Sequence, residues 1–179
     1  MGKNGLIVCG YQGVGKSTLC RNGEVVTDHP EVRCIDLESG NFWYDGKRPF
    51  DWFRYYANFA KHLAAQGYVV FTASHKVFRD WMREQGIGFI TLSPSVDLKD
   101  SWIEKLEKRY QATLLDKDYK ALMNAKEKFE ENVQELQAEP NHYIIQEQYY
   151  HMADVVKEIV ETMMPLLEKD PKFDYINLK

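Results

Sequence analysis

Apolar residues in this chain follow two rhythms. Short, nearly unbroken apolar runs at residues 6–9, 32–37, 68–73, 87–92 and 142–146 have the length and the β-branched or aromatic bulk of strands covered on both faces. Between them the apolar positions recur at helical spacing, which predicts helices over residues 16–21, 51–66, 76–85, 97–110, 116–139 and 149–168. Breakers stand where the helices should stop: Asn22-Gly23, Gly67, Gly86 and Pro140-Asn141. Thr27-Asp28-His29-Pro30 and Ser93-Pro94-Ser95 read as turns, and Asp51 is placed to cap the second helix. The last helix carries Met152, Val155, Val156, Ile159, Val160 and Met163 on one side, and the polar residues after it are expected to pack loosely.

Strands alternate with helices along the chain, which predicts right-handed βαβ units and a parallel sheet with helices on both faces. No repeat, low-complexity tract or linker interrupts residues 1–179, so one α/β domain is expected, with residues 97–139 as a helical insertion or lid.

The first turn of this pattern is the most informative. Residues 10–18 read Gly-Tyr-Gln-Gly-Val-Gly-Lys-Ser-Thr and fit G-x-x-x-x-G-K-[ST], directly after an apolar strand and at the start of a helix. Gly10, Gly13 and Gly15 let the backbone curl until successive N–H groups face one anion, and the helix dipole aims at the same point. The loop from Gly10 through Gln12, Gly13, Val14, Gly15, Lys16 and Ser17 to Thr18 is therefore expected to hold the phosphates of ATP. Lys16 falls on the β- and γ-phosphates and Ser17 on Mg²⁺.

In an open α/β sheet, ligands lie beyond the carboxyl ends of the strands, so the residues after each strand are the next candidates. Asp36 and Glu38 follow the second run and, two apart on extended chain, point the same way. Asp36 is expected to support Mg²⁺ or to deprotonate an acceptor hydroxyl, and Glu38 to contact the acceptor. After the third run, where a phosphate-loop protein often carries an acid, stand Ser74, His75 and Lys76. That shifts metal support toward Ser17 and Asp36 and leaves His75 as an acceptor contact.

Residues 42–59 hold nine aromatics in eighteen positions, with Arg48 and Arg54 interleaved. Flat rings and guanidinium groups suit stacking on a base and clamping a phosphate. Helical spacing assigns Trp52, Tyr55, Tyr56 and Phe59 mainly to the core. Asn41, Phe42, Trp43 and Tyr44, with Arg48 and Arg54, are left as the acceptor pocket. Cations at Lys105, Lys108, Arg109, Lys117 and Lys120 lie on the expected lid, and Arg109 is the candidate for contact with transition-state charge. The blander alternative is a solvated face balanced by Glu104, Glu107 and Asp116.

Composition adds bounds. The chain is 44% hydrophobic and 28% charged with a formal charge of −4, which gives no general support to a nucleic-acid-coating role but allows a local basic groove. No apolar run approaches the roughly 20 residues of a membrane span. Met-Gly at the start is followed by Leu6 where a myristoylation signal needs Ser or Thr, and no secretory signal is evident. Three cysteines, Cys9, Cys20 and Cys34, form neither a disulfide set nor a metal spacing, and a cytoplasmic location fits.

On residues 10–18, the Asp36-Leu37-Glu38 motif and the basic helical stretch after the fourth strand, the chain resembles the small phosphate-loop kinases of the nucleoside monophosphate kinase and shikimate kinase group. It is also similar to uncharacterised phage and bacterial proteins of nucleotide-kinase type. The resemblance implies a three-layer phosphate-loop fold with strand order 2-3-1-4-5 and transfer of the ATP γ-phosphoryl group to a small acceptor, a nucleotide or nucleoside first among them. Asp36 and Glu38 would take the roles of the two carboxylates in that group's Asp-x-Asp motif. The departures are Asp-x-Glu in place of Asp-x-Asp and no paired-arginine lid signature. Two other readings stay open: a kinase acting on a modified base within DNA, and an NTP-binding regulatory module whose helical insertion meets a partner.

Overall fold

The computed structural model describes residues 5–21 and 32–178. The predicted helix stop at Asn22-Gly23 and the turn at Thr27-Asp28-His29-Pro30 lie outside them. Five strands among the described residues form one parallel sheet: β1 (Leu6–Gly10), β2 (Arg33–Asp36), β3 (Tyr68–Thr72), β4 (Ile90–Pro94) and β5 (His142–Ile145). Their order is β2-β3-β1-β4-β5, as the resemblance implies. β1 is central and buried along its whole length, while β2 and β5, at the edges, are partly open.

Helices cover both layers. They are α1 (Lys16–Arg21), α2 (Trp52–Ala65), α3 (Lys76–Glu84), α4 (Lys99–Thr113), α5 (Asp116–Gln137), α6 (Met152–Glu158) and α7 (Met164–Leu167). α2 buries Trp52, Tyr56, Ala60, Leu63 and Ala64, a stripe at helical spacing. Asp51 precedes α2 as predicted, but its side chain makes no capping bond. The expected last helix is divided, since a π-helical turn (Ile159–Met163) separates α6 from α7 just before Pro165, whose ring cannot continue a regular ladder.

Residues 97–139, expected as an insertion or lid, also build part of the core. A short 3₁₀ turn (Val96–Leu98) leads into α4, and α5 breaks helical geometry at Lys128. Beyond that break Phe129, Val133 and Leu136 are buried, and Thr91 Oγ1 of β4 donates to Leu136 O at 2.7 Å. The second half of α5 is thus a wall of the core.

Two predicted boundaries move. The fourth strand begins at Ile90, not at 87, because Ile87 N–H bonds Met82 O at the end of α3 and Gly88 N–H bonds Lys172 O. It then runs on through Ser93 and Pro94, which pair with Ile144 and Ile145 of β5, so this segment is strand and not the start of a turn. The second correction concerns the C-terminal residues, which are packed, not loose. Phe173 and Tyr175 are buried, and the Tyr175 hydroxyl donates to Gly88 O at 2.6 Å while accepting from Ile7 N–H at 3.3 Å. Polar neighbours hid two aromatic anchors.

The hydroxyl of Tyr175 satisfies two buried backbone groups that no water can reach. Tyr175→Phe is expected to lower unfolding free energy by about 1–3 kcal/mol. Urea denaturation should give a lower midpoint with an unchanged slope.

Candidate functional site

Chain reversal between β1 and α1 builds the phosphate loop. Gly13 and Gly15 adopt φ of 84° and 108°, a region that side chains disfavour. A Cβ on Gly13 would also lie 3.0 Å from Leu106 Cδ2 and 3.2 Å from Trp102 Nε1, so α4 presses directly on the loop.

Outer bonds hold that curl. The Trp102 indole donates to Gln12 O at 2.8 Å, and the Tyr150 hydroxyl donates to Val14 O at 2.6 Å. A trans peptide points its C=O and N–H in opposite directions, so fixing these two carbonyls outward turns the N–H groups of Gly13 and Gly15 inward. The Gln12 side chain ties the loop to α5, donating to Ala121 O at 2.9 Å and to Asn124 Oδ1 at 3.2 Å. Trp102, Tyr150 and Asn124 are parts of the loop that the motif does not announce. Trp102 and Tyr150 fall within the helices predicted over residues 97–110 and 149–168, and no local spacing connects them to the loop.

Lys16 reaches back over the loop, donating to Gly10 O at 2.8 Å and Thr72 O at 3.3 Å, across the ends of β1 and β3. Burial lowers its pKa, while the carboxylates of Asp36 and Glu38 oppose that shift. Both carboxylates therefore act electrostatically on the ammonium. Ser17 Oγ donates to Asp36 Oδ2 at 2.8 Å, which joins the hydroxyl and carboxylate proposed for Mg²⁺. Two hard oxygen donors side by side at a phosphate loop fit this ion, which takes few protein ligands and completes its shell with water and phosphate oxygens. Among the described residues no cluster of three or more His, Cys, Asp or Glu forms a protein-only metal cage. Tyr56 fixes the spacing of the carboxyl ends, donating to Leu37 O at 2.5 Å and accepting from Ala73 N–H at 2.9 Å.

Beside Lys16 opens a cavity of about 370 Å³ lined by Gln12, Ser74, His75, Arg79, Asn124 and Glu135 among others. Of the predicted acceptor residues only His75 lines it. Arg48 stands next to it, its Nη2 3.5 Å from His75 Nε2 and its guanidinium 4.4 Å from the Trp52 ring. Phe42 packs edge-on against Tyr56, Arg54 turns onto Trp81, and Asn41, Trp43 and Tyr44 are exposed. The structure also divides the four rings assigned to the core: Trp52 and Tyr56 are buried, but Tyr55 and Phe59 are exposed, because only one stripe of α2 faces the sheet. Buried Arg79 donates to Ser74 O at 3.0 Å and to Glu139 at 2.5 Å, and it also binds Glu135, so its charge is compensated on each side.

Desolvation of the His75 ring, then the positive charges of Arg48, Lys16 and Arg79, hold its pKa down at about 4. It is neutral at physiological pH and available as a hydrogen-bond acceptor or base.

A second cavity of about 570 Å³ lies against the outer bonds of the loop, between α4 and residues 148–151. Trp102 and Tyr150 lie parallel there at a centroid distance of 6.2 Å, and Lys105 Nζ sits 4.4 Å from the Trp102 ring centre. Desolvation, then the Arg109 charge, push the Lys105 pKa down to about 8. The other cations of α4 and α5 separate clearly. Lys108 pairs with Glu104 and Lys120 with Asp116, each at 2.8 Å, the solvated pairs of the blander reading. Arg109 instead reaches buried Asp118, Nε to Oδ1 at 2.7 Å, and Thr113 Oγ1 donates to the other carboxylate oxygen at 2.5 Å.

Fold and loop together define a phosphate-loop α/β protein. In comparison with solved structures, the chain is similar to a gluconokinase from Sinorhizobium meliloti 1021, with a TM-score of 0.54 and 17% identity over 92% of this chain and 94% of that one. No family model matches the chain, and no curated protein matches it. At this identity the likeness speaks for the fold.

Two measurements check the electrostatics. As pH falls from about 6.5 to about 4, the unfolded chain protonates this histidine before the folded one does, so stability should fall through that window. His75→Gln should flatten that part of the pH–stability curve, and the His75 ring resonances should titrate near pH 4. Removing the Arg109 side chain leaves a buried carboxylate behind, whereas removing the carboxylate leaves a cation that reaches water. Arg109→Met is accordingly expected to cost about 3 kcal/mol and Asp118→Asn about 1–2, by chemical denaturation.

Proposed function

We propose that the chain is an ATP-dependent kinase that transfers the γ-phosphoryl group to a hydroxyl of a small acceptor, a nucleotide or nucleoside in the first instance. The observation that carries this reading is the Ser17–Asp36 hydrogen bond of 2.8 Å at the mouth of the loop that holds Lys16, beside a polar cavity of about 370 Å³. The donor phosphates lie in the curl of residues 10–18, and the donor base against Tyr150 and Lys105 in the outer cavity. Lys16 releases its two carbonyl contacts to bind the β- and γ-phosphates. Ser17 and Asp36 hold Mg²⁺, which when bound neutralises charge on the phosphate oxygens. The acceptor hydroxyl attacks phosphorus as the bond to the leaving ADP breaks, and its proton passes to a carboxylate, Asp36 or Glu38.

His75, kept neutral, accepts a hydrogen bond from the acceptor. Arg109 lies close enough to depress the Lys16 pKa electrostatically, so once released from Asp118 it supplies charge to the transferring group. The helices that carry Arg109 and Gln12's partners exclude water, which would otherwise compete as acceptor.

A second reading keeps the chemistry and changes the acceptor to a polyhydroxylated acid. Asn124, Asn132, Glu135 and Arg79 line the cavity and offer paired donors and acceptors, whereas the aromatic rings of residues 42–59 stand outside it. The solved structure reported above is itself a gluconokinase. Label transfer separates the two: pure protein with γ-labelled ATP and Mg²⁺ is given nucleotides, sugars, sugar acids, shikimate-like acids and single-stranded DNA and RNA in parallel. ATP binding with no acceptor-stimulated transfer to any of them would leave a nucleotide-binding module and end the kinase reading. Lys16→Ala should fold and lose transfer. Asp36→Asn should keep ATP binding and lose about 10²–10⁴-fold in rate, and an unchanged rate would remove its role.

A further inference from the structure

The cleft does not end at the cavity. Beyond His75, Arg48 lies over both Trp52 and Trp43, at 4.4 and 5.3 Å from the ring centres, and the segment around them carries further rings that are open to solvent. Trp43 is 45% exposed, Tyr44 81%, Phe50 93%, Tyr55 60% and Phe59 45%. Tyr44 sits at a tight reversal, where Tyr44 and Lys47 exchange backbone hydrogen bonds at 2.8 and 2.9 Å around Asp45 and Gly46, both at positive φ. That reversal holds the ring away from the core. Tyr55 and Phe59, four apart on α2, present their rings along one helix face, and Phe59 adjoins Phe42 at 6.0 Å.

Five large rings open to solvent on one short segment are far more than scattered surface apolars, and they need an occupant. The segment supplies both halves of one chemistry. Along the segment Lys47, Arg48 and Arg54 alternate with the rings, three cations against the two carboxylates of Asp45 and Asp51, on a chain whose formal charge is −4. Flat faces with cations between them fit a polyanion that carries flat bases at intervals. A mononucleotide would cover one ring and leave the others wet, and a duplex hides its base faces. A single strand meets both conditions.

We propose that the surface formed by Trp43, Tyr44, Arg48, Phe50 and Tyr55 binds a single nucleic-acid strand and leads it into the acceptor cleft at His75. Bases stack on the rings, and Lys47, Arg48 and Arg54 take the phosphates. Only the delivery of a strand-borne hydroxyl toward Lys16 rests on the kinase reading; the surface itself stands without it.

The test uses the full chain and fluorescence anisotropy of labelled (dT)₁₅ and (rU)₁₅ at 50 mM salt. At least one oligonucleotide should bind, with log K falling against log[salt] at a slope of about −2 for three phosphate contacts. A duplex of the same length and free dTMP should compete at least tenfold less well than the unlabelled strand. Tyr44→Ser, Phe50→Ser and Tyr55→Ser combined, all at exposed positions and checked for folding by circular dichroism, should weaken strand binding about tenfold or more. Fluorescent ATP binding, followed in the same variant, should stay as in the wild type. No binding of either strand, equal binding by the triple variant, or dTMP competing as well as the strand would overturn the proposal. So would a dimer by light scattering that the triple variant abolishes, since the rings would then meet a second copy of this chain. If strand binding persists while no acceptor takes label, the kinase reading falls and this surface remains. If label moves to a free small acceptor and no strand binds, the reverse holds.

Discussion

The site depends on two hydrogen bonds that face away from it. A phosphate loop works only if its amides point inward, and a glycine-rich backbone does not choose that orientation unaided. Here the Trp102 indole and the Tyr150 hydroxyl engage the carbonyls of Gln12 and Val14, and the planar peptide turns the amides the other way. Both groups lie far along the chain, on α4 and just before α6. The loop is therefore shaped by the packing of the second half of the domain, and the same two rings line the outer cavity proposed for the donor base.

A similar economy organises the other side of the cleft. Tyr56 bonds the chain just after β2 and just after β3 at once, so the Asp36–Glu38 segment and the Ser74–His75 segment keep a fixed separation. Across that gap Ser17 and Asp36 meet without a protein cation between them, and Lys16 is held on backbone carbonyls. The arrangement keeps Lys16, Asp36 and Glu38 close to the anion site, with Lys16 bonded to backbone carbonyls and Asp36 to Ser17. Arg79 is treated in the same manner, its guanidinium surrounded by Ser74 O, Glu135 and Glu139. Buried charge in this fold is compensated before any ligand arrives, which limits the desolvation cost of building the cleft.

The aromatic segment shows where a pattern argument reaches its limit. Helical spacing placed Trp52, Tyr55, Tyr56 and Phe59 together, but α2 has one inward stripe, and Tyr55 and Phe59 fall off it. Of the loop rings, Trp43 and Tyr44 are exposed while Phe42 packs against Tyr56. The polar cavity is walled instead by Asn124, Asn132 and Glu135 of α5, over a hundred residues after the phosphate loop. No local spacing connects these positions. They converge because α5, broken at Lys128, uses its second half to cover β4 and its first half to bind Gln12.

The sequence by itself determined the layered α/β architecture, the phosphate loop and the pairing of Asp36 with the loop. Each of these depends on short-range rules: apolar run length, glycine conformation and the two-residue repeat of extended chain. Parallel order followed from the alternation of elements together with the family resemblance, and the sheet has that order. Tertiary structure alone decided which aromatics are buried, that the C-terminal Phe173 and Tyr175 close the core beneath β1, and that Arg109 differs from the other lid cations by reaching the buried carboxylate of Asp118. The reason is common to all three. Burial and charge pairing are set by what the rest of the chain brings alongside a residue, and that information is spread over the whole length of the protein.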